Sequence, residues 1–131
     1  MRIAMQKVGT SQLSYTVPQA LDGAILTSIQ AIVDVAVTGV MRAALSDSDG
    51  ALVMLSQTTA ALPAGNDYRV LWGAGAGSFT SATASLSASV GLPERVRVEQ
   101  GDTIVVTNMS GTITVDTGVL VLDESSAGLV I

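Results

Sequence analysis

Six carboxylates stand where acid–base chemistry would be conceivable: Asp22, Asp34, Asp67, Glu94, Asp102 and Asp116. Paired carboxylates at a suitable separation can act as general acid and base, but no spacing here pairs any two. The chain has no histidine and no cysteine. It therefore lacks the commonest general base, the commonest metal ligand, a thiol nucleophile and any disulfide. Asp47-Ser48-Asp49-Gly50 resembles the start of a calcium loop. Such a loop needs a further Asp or Asn and a Glu at its twelfth position. The distal acid is missing, so the segment reads as a hairpin turn. Gly73-Ala74-Gly75-Ala76-Gly77 is not followed by the Lys-Ser or Lys-Thr of a phosphate-cradling loop, and reads as a flexible surface loop. The expectation is a protein that is not an enzyme and uses no cofactor and no metal.

Composition narrows the partners. Net charge is −5, and the six cations, Arg2, Lys7, Arg42, Arg69, Arg95 and Arg97, form no readable basic face. One Trp, two Tyr and one Phe are too few for base stacking. No nucleic-acid partner is expected. The most apolar region, residues 24–37, carries Gln30 and Asp34 and is too short and polar to span a bilayer. No secretory leader is readable either, so Asn108-Met109-Ser110 reads as a turn before a glycosylation acceptor. Charged residues make up 13% of the chain, against ~25% in ordinary domains. A surface built of Ser, Thr, Gly and Ala is poorly solvated for a monomer, which suggests coverage by a partner.

The elements that would hold these residues are strands. The organising stretch is residues 91–106. Gln100-Gly101-Asp102 turns the chain, with Gly101 free to take positive φ, and Thr103-Ile104-Val105-Val106 follows as a β-branched strand. Residues 24–38 alternate, with Ile25, Ile29, Ala31, Val33, Val35 and Val37 on one parity, and predict a long strand broken by a bulge. Further strands are predicted at 40–45, 51–55, 68–72, 112–115 and 118–122, with a low-complexity edge strand within 80–90. Trp72 shares parity with Tyr68 and Val70 and should be buried within or between subunits. With about eight strands and no convincing helix, the fold class is all-β: an antiparallel sandwich or barrel. One domain of 131 residues fits the length. It divides into an N-terminal arm (1–17), a sandwich (18–124) and a tail (125–131). Residues 1–17 read either as a disordered or edge-strand terminus or as an ordered arm that lies on a neighbouring subunit, with Arg2, Ile3, Met5, Lys7, Val8, Leu13 and the ring of Trp72 as interface candidates.

The order of these motifs resembles the virion proteins of tailed bacteriophages, of the capsid decoration or cement type. The resemblance spans about residues 14–124. It runs through a long strand (25–37), Asp49-Gly50, Leu62-Pro63-Ala64-Gly65, an aromatic strand (68–72), Gly73 to Gly77, Leu92-Pro93, Gly101-Asp102-Thr103-Ile104 and a closing strand that ends in acids (119–124). It implies a jelly-roll fold and a structural role on the capsid surface of the virion, as a homotrimer that contacts the major capsid protein or other virion subunits. The alternative is a receptor- or carbohydrate-binding module of a tail or fibre. Such modules expose aromatic platforms, of which this chain has few to spare.

Overall fold

In the computed structural model, residues 1–47, 52–57, 66–73, 76–81, 85–89 and 96–126 are described. They form two antiparallel sheets packed face to face, an all-β sandwich. In chain order the strands are β1 (Arg2–Ala4), β2 (Gln6–Val8), β3 (Gln12–Thr16), β4 (Ile25–Val37), β5 (Met41–Ser46), β6 (Leu52–Gln57), β7 (Asn66–Gly73), β8 (Ala76–Ser81), β9 (Ser85–Ser89), β10 (Val96–Arg97), β11 (Thr103–Asn108) and β12 (Thr112–Asp123). The larger sheet runs β1-β12-β4-β7-β8-β9, with β10 also on β4; the smaller runs β2-β3-β11-β5-β6. Among the described residues that is twelve strands where about eight are predicted, because short strands escape a reading based on apolar runs.

The spine is the β4–β12 pair, and its bulges explain where apolar parity breaks. Thr117 pairs with Ile32 and Val115 with Val33, so Asp116 is the extra residue. Apolar burial accordingly switches from Ile113 and Val115 to Leu120 and Leu122. The two strands predicted at 112–115 and 118–122 are thus one strand with a bulge, because an inserted residue flips the side-chain alternation without ending the ladder. On β4 the register skips Thr27, whose Oγ1 donates to the Val121 carbonyl at 3.1 Å. Leu26, not Ile25, is therefore buried below that point. It skips Ala36 as well, which turns Val37 out of the core to 55% exposure.

Two further expectations are corrected. The glycine-rich stretch does not read through as a loop: Gly73 ends β7, and β8 and β9 pair in succession beyond it. Small and β-branched residues accept the pleat when a neighbouring strand supplies the ladder. Nor are residues 1–17 an arm separate from the sandwich. β1 pairs with β12 and β3 with β11, and the chain crosses from one sheet to the other at Met5, whose N–H donates to the Gly118 carbonyl at 2.9 Å. Leu13 and Val17 are core residues. Apolar groups spaced across two three-residue strands gave too weak an alternation to reveal this. The tail was placed at 125–131, of which 127–131 lie outside the described residues, as does the Asp49-Gly50 turn.

The core lies between the sheets and includes Leu26, Ile29, Val33, Val70, Trp72, Ile104, Val106, Ile113, Leu120 and Leu122. Full burial of such side chains contributes roughly 1.5–3 kcal/mol each before entropy is charged against it. Among the described residues no helix is long and apolar enough to cross a membrane.

Candidate functional site

The candidate acids are distributed by the fold, and Asp22 and Asp102 accept backbone bonds at a turn. Glu99 to Asp102 forms a tight turn in which the Asp102 N–H donates to the Glu99 carbonyl at 3.0 Å, with Gly101 at φ 90°. A positive φ at the third position is what a type II turn requires. Asp102 is buried, and its Oδ2 accepts the Glu99 N–H at 2.8 Å. Two backbone bonds tie the turn to β3: Val17 N–H to the Asp102 carbonyl (2.8 Å) and Gly101 N–H to the Val17 carbonyl (3.0 Å). Asp22 Oδ1 accepts the Gln100 N–H at 2.9 Å. Asp34 is exposed on β4, with Asp67 of β7 at the paired register position. Asp116 is exposed in the β12 bulge, and Glu94 lies outside the described residues. Among the described residues, no three His, Cys, Asp or Glu gather as a metal site would require.

Asp123 closes β12, and its Oδ1 accepts the Ser125 N–H at 3.0 Å. That backbone bond, reinforced by the Ser125 hydroxyl, holds its carboxyl below the usual aspartate range. Tyr15, paired with Ile104 on β11, has its phenol raised by burial.

The interface candidates separate into two groups. Met5 is buried, and Leu13 and Trp72 are fully buried within the single chain, so these three are core and not contact residues. Trp72 shares the inward face with Ile29, its register partner, and its Nε1 is buried without a hydrogen-bond partner. Ile3 is half-buried against the core, while Arg2, Lys7 and Val8 are exposed.

The surface feature that the sequence did not announce is at one end of the sandwich. Here the β2–β3 turn, the β4–β5 link and the β11–β12 turn come together. Val8 pairs with Gln12, Gln12 with Thr107, and Thr112 with Val37. Met109 N–H donates to the Val40 carbonyl at 2.6 Å, and Val40 N–H to Ser110 Oγ at 3.1 Å. The two links approach so closely that a Cβ on Gly111, itself at φ 74°, would lie 2.5 Å from the Thr38 and Val37 carbonyl oxygens. A Cβ on Gly39 would collide with the Ser110 carbonyl. This rigid end presents Val8, Val37 and Met109, at 48%, 55% and 47% exposure, three of the five large hydrophobics exposed among the described residues. Val37 was read as a core residue, and only the Ala36 bulge shows otherwise. The opposite end carries Asp22, Glu99, Asp102, Asp123 and Glu124. Chemically, the arrangement suits surface contact at the apolar end and solvation at the acidic one. No family model matches the chain, nor does any curated protein or solved structure.

Proposed function

We propose that this is a structural virion protein that decorates or cements the head of a tailed bacteriophage, bound to the capsid surface as a homotrimer. The observation that carries the reading is the apolar end formed by Val8, Val37 and Met109. It is held by close backbone contact at Gly39 and Gly111 and lies on a chain with unusually few charges. A firmly held contact surface with apolar side chains, opposite a more acidic end, suits a protein seated on a shell, because docking then orders little flexible chain. The sandwich agrees with the resemblance at the level of two packed antiparallel sheets; the jelly-roll form belongs to this proposal. The carbohydrate-binding alternative loses its best aromatic, since Trp72 is in the core.

The test is co-sedimentation with empty heads built from the cognate major capsid protein, together with sedimentation velocity of the free chain. A trimer that binds the heads is expected. The double substitution Val8→Asp, Met109→Asp should keep the melting temperature within a few degrees and weaken binding at least tenfold. Absence of binding by the full chain overturns the function, and undiminished binding by the variant overturns the choice of surface.

A further inference from the structure

Four strands end the two sheets among the described residues, beside the two-residue β10, which pairs with β4 alone and carries Arg97, and they are built differently. β1 and β2 have three residues each and carry Arg2 and Lys7. β9 places serine at every second position, Ser85, Ser87 and Ser89. β6 runs for six residues, Leu52-Val53-Met54-Leu55-Ser56-Gln57, with no charge, no proline and no glycine. An edge strand leaves every second N–H and C=O without a partner in the sheet, and natural edges are commonly shielded by brevity, charge or proline. β6 has none of these; β9 also lacks charge and proline, but its five residues alternate with serine, while β6 opens with four consecutive apolar residues. Among the described residues its protection is the register shift opposite Ala43/Ala44, which makes Leu55 an extra residue and leaves Leu52, Val53 and Met54 in regular register with Ser46, Leu45 and Ala44.

We propose that β6 pairs with a strand from a second copy of this chain, so that copies join edge to edge through backbone hydrogen bonds. Charge selects the occupant. Copies with net charge −5 repel one another, and a charged edge facing its own image sets like charges side by side. β6 lies inside an uncharged stretch, residues 51–66, so a copy can approach there without that cost. Every ladder among the described residues is antiparallel, and an antiparallel pair of identical strands is self-complementary about a two-fold axis. Pairing with a different edge of the next copy instead builds a ring. The inference deepens the association between copies in the proposed function, the two-fold β6 pair giving a dimer and only the ring giving the homotrimer, and it stands without attachment to a head.

The experiment is sedimentation velocity of the full chain, from low to high micromolar concentration, beside Val53→Pro and Met54→Pro. Consecutive N–H groups of a strand point to opposite sides, so one of these prolines removes an N–H that β5 uses and the other an N–H on the open side. Proline is tolerated at the open side of an edge strand. The full chain should associate, and the proline variant that keeps its β-sheet circular dichroism and cooperative melt should sediment as a monomer. A full chain that stays monomeric overturns the proposal, as does a folded proline variant with undiminished association. If neither variant folds, hydrogen exchange on the full chain decides. Alternate β6 amides should gain at least tenfold protection as concentration rises, and protection independent of concentration overturns the proposal. A dimer dissolved by proline supports β6 pairing while refuting trimeric closure; a trimer dissolved by it supports both.

Discussion

At the scale of single residues, the molecule depends on a few groups that do two things at once. Trp72 fills the core from β7, so Trp72→Ala should cost ~3–5 kcal/mol by removing a large buried ring. Denaturant unfolding measures this. Trp72→Phe should cost less, because it also removes the unpaired Nε1. Asp102 closes its turn with both backbone and side chain. Asp102→Ala leaves the Glu99 N–H without its acceptor and should cost ~1–3 kcal/mol, readable as a lower midpoint in urea with an unchanged slope. Asp123 supplies a pH dependence. Its folded pKa lies below the ordinary aspartate value, so its contribution is present at neutral pH and is lost as pH falls through the folded pKa. Carboxyl NMR should show Asp123 titrating at a lower pH than in Asp123-containing unfolded chain, and Ser125→Ala should move that midpoint upward.

At the scale of elements, the sequence was legible wherever burial alternates without interruption. β11 is the clearest case: Ile104 and Val106 are buried, with Val105 between them half-buried. The turn before it was equally legible, because only glycine takes positive φ at no steric cost. Bulges were not legible in position. The parity change across Asp116 looked like a gap between two strands, and the one at Thr27 was hidden by the run Ile25-Leu26. The apolar end was hidden for the same reason, since Val37 alternates in phase with the core until Ala36 is inserted. Residues 1–17 misled most. Their alternation is weak because each of the first two strands has three residues, yet Met5 and Leu13 close the core beside Gly118, where an added Cβ would lie 2.5 Å from Leu13 Cδ1. A chain that begins at Ser14 is therefore expected to lose cooperative unfolding, with loss of β1, β2, Leu13 and the β3–β11 pairing near it. A truncated chain that melts as sharply as the full one would return these residues to the role of a free arm.

At the scale of the whole molecule, two sheets are joined by a chain that crosses between them at Met5, and the molecule has an apolar end and an acidic end. In the proposed function this polarity would give attachment a direction, tested by the Val8 and Met109 substitutions, and in the proposed self-pairing the β6 edge would give association between copies a separate place. The crossing at Met5 has a consequence for biogenesis. Arg2 pairs with Val121, Ile3 with Leu120, and Thr16 with Thr103. β1 and β3 thus find these partners only after residues 103–121 have emerged from the ribosome. During translation β1 and the local β2–β3 hairpin must wait without β12 and β11, and closure of so long a loop makes folding slow compared with a fold of local contacts. Nascent chains stalled before β11 should remain open to protease, and protection should arrive in one late step, once β12 has cleared the exit tunnel.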